Sequence, residues 1–432
     1  MRIGYYAHHH GSGHCRQADK LAALLPFELR QQMTVFSSLP TDGYRFSTIT
    51  NEQIVRLSTE DQLPEDVLSG RAGEYWQPSS LHYSPVGNRH VQTRSWQLLD
   101  QIRQRQIDLM IIDVSVEVAM LCRTASVPYL YVRLAGERDD EPHLNAFAGA
   151  LGLLAPYPRQ LEAAATPDWV RQKTLYLDFM PNKTDKLLTF PDFIDKLITL
   201  TTNGDIHKRL YLRLDYDHKS AKDNNHKDNN NKDHIVTVIK GYGGHDAIDA
   251  KLPELRCALP NALIISLGPI NDEVRDCVDI AAHVDDVSPF IAYSDLLLMA
   301  CGLNGIAQAY NYATPLVVLP DERPHREQEV MAEALIEQGR ALSWAQFITQ
   351  TSNLRNKGTP SFLSINNDSI SNETINNETI NNETINNEKA ALTDIQPSMA
   401  AQNFMDSIAD YVSVKAWFQE WLLPQLGLRP EK

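Results

Sequence analysis

The sequence predicts an α/β protein with two doubly wound parallel sheets and helices on both faces of each. Short apolar runs alternate with amphipathic stretches in both halves of the chain, as in sheets whose strands are buried on both faces. A length of 432 residues exceeds what one compact core usually organises, so we expect two domains. Ligands of such sheets bind beyond the carboxyl ends of the strands, so the loops that follow the strands are the candidate functional segments.

Apolar runs in the first half predict strands over 2–7, 33–38, 53–57, 108–113 and 128–134. Helical periodicity predicts helices from Arg16 to Leu25 and over 90–106, 116–124 and 143–151. The second half repeats the alternation. Its predicted strands lie within 234–244, 262–268, 296–305 and 315–320. Its predicted helices lie within 284–295, after the turn that ends at 305 up to about Tyr312, and from His325 to Gln338.

Two polar segments interrupt this alternation. Residues 218–234 are rich in Asn, Lys and Asp, and residues 372–386 repeat NETIN three times, a five-residue period that fits neither helix nor strand. We therefore predict the following organisation: an N-terminal domain over 1–190, a linker over 191–234 with a disordered loop at 218–234, a C-terminal domain over 235–350, a flexible low-complexity insert over 351–395, and C-terminal helices over 396–432.

Charge and composition exclude several classes of partner. A net charge of −15 argues against nucleic acid and against electrostatic docking on an anionic membrane, although a local basic patch leaves peripheral membrane contact open. No apolar run approaches the roughly 20 residues of a transmembrane helix, and the N-terminal apolar stretch is too short for a signal peptide. The five scattered cysteines include no CxxC pair, which predicts reduced thiols in a cytoplasmic protein and no zinc site.

The first predicted strand ends in a glycine-rich loop, AHHHGSGH. Gly11 and Gly13, on either side of Ser12, permit close approach of a ligand and place His14 at the start of the next helix. Because a helix N-terminus disfavours an imidazolium, we expect His14 to be neutral and able to act as a base. A chance metal-binding run at His8–His10 and a His14 that only packs are the alternatives.

Two further loops can bind phosphate. Gly241, Gly243 and Gly244 follow a strand, and their backbone N–H groups can point at phosphate oxygens, although a plain tight turn fits equally well. The run CGLNG at 301–305 also follows a strand and opens a helix, whose N-terminus suits a pyrophosphate or a diphosphate leaving group. The polar loop 320–328 offers acids and amides for sugar or ribose hydroxyls.

Residues 283–335 resemble the donor-binding region of GT-B glycosyltransferases, the group that holds the lipid II-forming GlcNAc transferase and the UDP-glycosyltransferases. HGSGH, at 10–14, resembles that group's glycine-rich loop with its histidine, and DLMIIDVSVEV, at 108–118, resembles the strand whose acid lies near that histidine. The resemblance implies two Rossmann-like domains that face each other across a cleft.

The resemblance also implies roles for single residues. His14 would be the base on the acceptor hydroxyl, Asp113 the acid that orients it, and the loop Gly11, Ser12 and Gly13 would lie on the acceptor side. The implied donor-binding residues are His283, Val284, Asp285, Gly302, Leu303, Asn304, Gln308, Glu327 and Gln328, and the turn after the strand at 234–244 adds Gly241, Gly243 and Gly244 as candidates from its own glycine pattern.

Within the donor set, Gly302, Leu303 and Asn304 would cradle the diphosphate, and Glu327 and Gln328 would touch the transferred sugar. His283, Val284 and Asp285 would lie beside the nucleotide base. Gln308 stands where the family often has a Glu for the ribose hydroxyls, a departure that leaves the nucleotide open.

The implied activity is transfer of a sugar from a nucleotide-sugar donor, with a UDP-sugar favoured, to an acceptor hydroxyl. It would proceed with inversion, with no metal and no cofactor. The acceptor stays open between a glycan, a lipid headgroup and a small molecule, and we expect its site in the loops 58–90 and 134–145. There, Arg138, Asp139 and His143 are either acceptor contacts or solvated surface.

Three alternatives are weighed against this activity. The triplet Asp215-Tyr216-Asp217 abuts the polar loop instead of an apolar strand, which disfavours a metal-dependent GT-A enzyme. A GT-B-like UDP-sugar epimerase should carry several acids and a histidine around the sugar C2, and no such cluster is placed from the sequence. A non-catalytic nucleotide-sugar-binding protein is favoured by Gln308 and disfavoured by His14 with Asp113.

Overall fold

The computed structural model describes residues 1–8, 12–40, 42–59, 78–180, 187–220, 234–241 and 246–356. These residues form two compact units. The first consists of Met1–Asn182 with Pro324–Val330, and the second consists of Lys183–Arg323 with the described chain from Met331 to Asn356. The repeats at 372–386, the predicted C-terminal helices and the glycines Gly11, Gly243 and Gly244 lie outside the described residues.

The first unit is a parallel sheet with helices on both faces. Its strands are β1 (Ile3–Ala7), β2 (Thr34–Ser37), β3 (Ile54–Arg56), β4 (Leu109–Asp113), β5 (Tyr129–Val132), β6 (Gly152–Ala155) and β7 (Thr174–Tyr176). Its helices are α1 (Gly13–Leu24), α2 (Phe27–Gln31), α3 (Arg89–Gln104), α4 (Val116–Thr124), α5 (Glu141–Gly149) and α6 (Asp168–Lys173).

The strand order of this sheet is β3-β2-β1-β4-β5-β6-β7, and every adjacent pair is parallel. The chain moves outward from β1 to β3 and then returns to β4 on the other side of β1. The order therefore reverses between β1 and β4, where doubly wound sheets bind their ligands. Tyr6 pairs with Ile112, so Ala7 and Asp113 end their strands at the same level of that edge.

Alternation along β1 builds two cores. Tyr5 is buried on the α1 side of the sheet, in a cluster with Cys15 and Leu21. Tyr6 is buried on the opposite side, with Leu98 and Ile102 of α3. Successive side chains of a strand point to opposite faces, so a strand that is apolar throughout serves both cores at once.

The second unit repeats the architecture. Its strands are β8 (Ile235–Ile239), β9 (Leu263–Leu267), β10 (Ile280–Ala282), β11 (Leu296–Met299), β12 (Leu316–Val318) and β13 (Leu342–Ser343). They form one parallel sheet in the order β10-β9-β8-β11-β12-β13, which reverses between β8 and β11. Its helices are α7 (Phe190–Thr199), α8 (Gly204–Ser220), α9 (Asp246–Asp249), α10 (Leu252–Ala258), α11 (Ser288–Tyr293) and α12 (Leu303–Ala309), then α13 (Glu327–Glu337), which starts in the first unit, and α14 (Trp344–Asn356).

The predicted fold class of two doubly wound parallel sheets is confirmed. Helices α7 and α8 occupy part of the range 191–234 that was predicted as a linker, and α8 continues to Ser220, inside the polar segment. A Thr189–Asp192 capping box starts α7. None of the described helices combines the length and apolar character that a membrane crossing requires.

The helix predicted from His325 begins instead at Glu327. His325 and Arg326 have φ angles of 61° and 50°, which lie in the left-handed region. Such angles do not fit a right-handed helix, so Pro324–Arg326 forms a separate turn ahead of α13.

Candidate functional site

The reversal point of the first sheet holds a His–Asp pair. His14 is the second residue of α1, and Asp113 is the last residue of β4. His14 Nδ1 lies 3.0 Å from Asp113 Oδ2, and the Tyr5 hydroxyl donates a hydrogen bond of 2.9 Å to the same carboxylate oxygen. The Asp113 side chain is fully buried, whereas that of His14 is 15% exposed. Because Nδ1 faces the carboxylate, Nε2 is the ring nitrogen that can exchange a proton with a substrate.

The pKa of His14 is raised above its ordinary value. Burial lowers the pKa, but the charge and hydrogen bond of Asp113, with a further contribution from the charge of Glu327, outweigh it. The helix N-terminus is also expected to lower the pKa of His14. Asp113 outweighs this effect as well, because a carboxylate in direct contact acts more strongly than a helix dipole. His14 is thus a stronger base than an ordinary histidine.

A strained turn follows Asp113. Val114 has a φ of 57°, and a positive φ is costly for a β-branched residue. The turn ends β4 and lets Ser115 cap α4 through a side-chain bond to the Val118 N–H. Among the described residues, Asp113 Oδ1 has no hydrogen-bond partner, so the carboxylate is held through its other oxygen. Such strain beside a buried carboxylate is typical of a functional site.

Glu327 belongs to the same unit and interacts with His14 electrostatically. Its carboxylate pairs with Arg138, whose Nη2 lies 3.1 Å from Glu327 Oε2. Gly136 lets the chain before Arg138 approach the chain before Glu327. Its φ is +104°, and a Cβ there would come within 2.5 Å of the His325 carbonyl oxygen. The Glu137 N–H also donates a bond of 2.7 Å to that oxygen.

Three histidines surround one carboxylate next to this ion pair. His82 Nε2 lies 2.9 Å from Asp140 Oδ1, and His143 Nδ1 lies 2.6 Å from Asp140 Oδ2. His325 Nδ1 lies 3.5 Å from Asp140 Oδ2. Arg138 Nη1 is 3.1 Å from the other nitrogen of His143 and so links the cluster to Glu327.

Burial and the charge of Arg138 lower the pKa of His143 to about 3, although Asp140 opposes the shift. Burial and Arg138 also lower the pKa of His325. Burial acts to raise the pKa of Asp140, but its hydrogen bonds and the charge of His143 hold that pKa below its ordinary range. Near neutral pH, Asp140 is therefore a carboxylate in contact with two neutral imidazoles, those of His143 and His325.

The loop after β8 places Gly241 at the reversal point of the second sheet. The preceding Lys240 is turned inward, with its Nζ 2.6 Å from Asp249 Oδ1 and both side chains buried. Gly268, after β9, has a φ of +99°, and a Cβ there would lie 2.7 Å from the Lys240 carbonyl oxygen. The loops after β8 and β9 therefore approach each other closely, and the charge of Lys240 is neutralised by Asp249.

Helix α12 starts at the same reversal point, after β11. Gly302 is its N-cap, and a Cβ at Gly302 would meet no atom within 4 Å, so the space at this helix start is open. Leu303 is buried, and Asn304 is partly exposed. The amide nitrogen of Gln308, the residue predicted for the ribose, donates a bond of 3.0 Å to the Asn304 carbonyl oxygen within the helix.

The remaining predicted donor residues are spread over two segments. His283 and Asp285 are exposed after β10, while Val284 packs against the apolar cluster around Phe290. Gln328 is buried, unlike its partly exposed neighbour Glu327. Ser12 and Gly13 are described as the N-cap and first residue of α1.

The structure brings His14, Asp113 and Glu327 together in the first unit, and Gly241 and Gly302 to the ends of neighbouring strands in the second. Sequence reasoning missed Tyr5 and the histidine cluster. It left Arg138 and His143 between acceptor contact and solvated surface, and the second interpretation is wrong because their side chains are only 8% and 1% exposed. The one local signal was Asp140-x-x-His143 at a helix start, where an aspartate caps and a histidine follows in the first turn.

No protein-family model matches the chain. Over 175 residues it is 30% identical to an uncharacterized glycosyltransferase of Methanosarcina mazei, a match that covers 38% of this chain and 45% of that protein. It is 33% identical over 121 residues to an uncharacterized glycosyltransferase of Methanosarcina acetivorans, which covers 26% and 31%. The matches thus span less than half the length of these curated relatives.

Among solved structures, MurG of Acinetobacter baumannii is similar with a TM-score of 0.51 at 10% identity, over 83% of this chain and 92% of that one. An identity this low shows the fold alone. The relatives and this structural neighbour confirm the resemblance predicted from the motifs in both halves of the chain. The chain therefore has a GT-B-type α/β fold and is similar in sequence to glycosyltransferases.

Proposed function

We propose that the chain is a glycosyltransferase that moves a sugar from a nucleotide-sugar donor to an acceptor hydroxyl, with His14 as the base. The observation that carries the proposal is the contact between His14 and Asp113 at the reversal point of the first sheet. A buried carboxylate on Nδ1 fixes the ring orientation and stabilises the imidazolium that forms when Nε2 takes a proton.

The proposed reaction is a direct displacement. His14 takes the proton of the acceptor hydroxyl while the hydroxyl oxygen forms a bond to the anomeric carbon of the donor sugar. The bond from that carbon to the diphosphate breaks, and the nucleoside diphosphate leaves with the electron pair. One displacement inverts the anomeric configuration. The raised pKa of His14 supports this role, because a stronger base is better suited to a weakly acidic hydroxyl.

Glu327 is proposed to hold the transferred sugar. It lies near His14 and is oriented by Arg138 at 3.1 Å, so the carboxylate can accept hydrogen bonds from sugar hydroxyls without free rotation. The ion pair gives Arg138 a positioning role that the sequence left open.

Binding of the donor's nucleoside diphosphate is assigned to the second unit. The support is the position of Gly241 and Gly302 at its reversal point, together with the open space beside Gly302. Backbone N–H groups at such turns and at the start of a helix favour a diphosphate and the charge that develops on it as it leaves. The proposed transfer step needs no metal, and a uridine nucleotide is favoured by resemblance only.

The test begins with binding. Purified protein is screened by thermal shift against UDP, GDP, ADP and dTDP and their sugars. A ligand at about 100 times its Kd should stabilise the native state by roughly 2.7 kcal/mol. The nucleotide that binds is then supplied as its sugar, with candidate acceptors and without added Mg²⁺ or Mn²⁺, and release of the nucleoside diphosphate is measured.

Turnover that depends on His14 and needs no added metal supports the proposal. No binding to any nucleotide would contradict the donor site. Binding without release indicates a non-catalytic nucleotide-sugar-binding protein, and isomerisation of the sugar in the absence of an acceptor indicates an epimerase.

A further inference from the structure

The cluster around Asp140 is assembled from three separate parts of the first unit. His82 lies in the loop before α3, Asp140 and His143 lie at the start of α5, and His325 lies in the turn before α13. The three imidazole rings are in mutual contact, with centroid separations of 4.5, 4.7 and 5.4 Å. Three histidines and one carboxylate at one point is the donor set of a transition-metal site.

The distances match a metal site in scale. One ligand atom from each residue can be chosen so that all four lie within 4.8 Å of one another. A tetrahedral Zn²⁺ with bonds of about 2.0–2.2 Å holds its ligand atoms roughly 3.4 Å apart. His325 Nδ1 lies 3.5 Å from Asp140 Oδ2, close to that value, whereas His143 Nδ1 at 2.6 Å from Oδ2 and His82 Nε2 at 2.9 Å from Oδ1 are closer and would move apart around an ion. Small side-chain movements would therefore complete the shell.

The ligands are held in place by other contacts. Asp140 is the N-cap of α5 and accepts the His143 backbone N–H through Oδ1 at 3.1 Å, so Oδ2, which faces the ring nitrogens of His143 and His325, is the oxygen assigned to the metal. The His82 N–H donates a bond of 2.9 Å to Glu117 Oε1. His325 is fixed through its carbonyl oxygen, which accepts from the Glu137 N–H. Supporting contacts of this kind orient the ligands of known metal sites.

We propose that His82, Asp140, His143 and His325 bind one divalent transition metal ion of the Zn²⁺ class, as a structural site that fixes the turn 324–326 within the first unit. Four protein ligands fill a tetrahedral shell and leave no open position for a substrate, which distinguishes structural from catalytic zinc sites. Three imidazoles favour such an ion over Mg²⁺ or Ca²⁺, which prefer oxygen.

One ligand of the proposed metal site, His325, precedes Glu327 by two positions. His325 has a left-handed backbone, and the loop at Gly136 approaches it so closely that only glycine fits. A metal bond to His325 would stabilise this turn and, with it, the start of α13 at Glu327. The ion would thus act on the arrangement of the site without taking part in the chemistry.

Coordination also changes the surroundings of Arg138. A neutral imidazole carries one proton, so a metal on His143 Nδ1 requires that proton on Nε2. Nε2 then no longer accepts from Arg138 Nη1, now at 3.1 Å, and Arg138 is left with Glu327. Metal binding therefore favours the Arg138–Glu327 ion pair.

The competing explanation is a metal-free network. His82 and His143 both bond to Asp140, and Arg138 bonds to His143, so three of the four members are satisfied by hydrogen bonds alone. The weakest contact is His325 at 3.5 Å, the outer limit for a hydrogen bond. His325 is therefore the residue whose replacement separates the two explanations.

The experiment uses the full chain without an affinity tag. Metal per chain is measured by elemental analysis after purification, and the protein is then stripped with a chelator and titrated with Zn²⁺ or Co²⁺. We expect one ion per chain, the absorption bands of tetrahedral Co²⁺, and a higher Tm with Zn²⁺ than without. His325→Gln and Asp140→Asn should each lower the affinity at least tenfold. Asparagine also caps helices, so Asp140→Asn keeps α5 capped.

Two controls complete the design. His90→Gln removes an exposed histidine of α3 outside the cluster and should leave the binding unchanged. His9→Gln with His10→Gln tests the consecutive histidines of the N-terminal loop as a different metal site. Loss of binding in that variant with retention in His325→Gln would overturn the proposal. Absence of saturable binding in the stripped wild type would overturn it too and leave the hydrogen-bonded network. None of these readouts depends on transfer activity.

Discussion

The two sheets have the same strand order around their reversal points, yet the loops there carry different groups. At the reversal point of the first sheet, the groups are charged or titratable side chains: His14 against a buried Asp113, with Glu327 and Arg138 nearby. At that of the second sheet they are glycines and a helix start, and Lys240 is neutralised internally by Asp249. One topology thus supplies side chains suited to proton transfer in one unit and backbone groups suited to an anion in the other. Each variant below removes one feature on which this contrast depends.

The largest effect is expected for His14→Gln. Glutamine is polar and of similar size but cannot take the acceptor proton, so kcat should fall by about 10²–10⁴-fold. Nucleotide affinity should stay the same, because the nucleoside diphosphate is assigned to the second unit. Release of nucleoside diphosphate and thermal shift with the nucleotide measure the two quantities, and His90→Gln is the matched control. Equal activity of both variants would remove His14 from the mechanism.

Lys240→Met tests the second region. Its Nζ lies 2.6 Å from Asp249 Oδ1 with both side chains buried, so the variant leaves an uncompensated carboxylate inside the protein. The free energy of unfolding should fall by about 3–5 kcal/mol. Asp249 would still accept the Asn271 N–H, so part of its bonding survives. Urea denaturation measures the loss, and a double variant with Asp249→Leu should recover part of it. A stable Lys240→Met that has lost nucleotide affinity would instead make Lys240 a phosphate ligand.

Gly136→Ala tests the close approach beside Glu327. Its φ is +104°, and the added methyl group would lie 2.5 Å from the His325 carbonyl oxygen, so the variant should lose about 1–3 kcal/mol of stability. Gly204→Ala is the control, since a Cβ at Gly204 meets no atom within 4 Å. Urea denaturation of the pair isolates the strain. Equal stability of the two variants would mean that the turn 324–326 does not require glycine beside it.

The sequence predicts those features of the two sheets that arise from a local pattern of residues. The runs at β1 and β4 are apolar throughout and end in polar loops, so the strands and the facing His14 and Asp113 follow from the pattern and the topology. The strands β7 and β13 are two or three residues long and only partly buried, which gives no periodic signal. They form because a sheet already exists for them to join.

The histidine cluster shows that the sequence pattern does not predict contacts between distant segments. Its members come from segments far apart in the chain, and only packing within the first unit joins them. Arg138 looks like a surface residue in the sequence, since its neighbours are Glu137, Asp139 and Asp140. Its carboxylate partner Glu327 lies almost two hundred residues later, a pairing that no local pattern can encode.

The smallest effect expected is a shift in one pKa, and it tests the origin of the contrast. Asp113 is the main cause that raises the pKa of His14 against the effect of burial. Asp113→Asn removes the charge at nearly constant shape, so the pKa of His14 should fall by at least about one unit. NMR titration of the imidazole measures it directly in both proteins.

The sign of this shift has consequences for activity and for stability. His14 must be neutral to act as a base, so wild-type kcat/KM should fall as the pH drops through a pKa above the ordinary histidine value. In Asp113→Asn the residual activity should persist to lower pH. A raised folded-state pKa also adds stability that is fully present below the unfolded pKa and lost as the pH rises through the folded pKa. The wild type should therefore lose this stability as the pH rises from the unfolded-state pKa of His14 through its folded-state pKa, while Asp113→Asn should not. An unchanged His14 titration in the variant would mean that Asp113 orients the ring without strengthening the base.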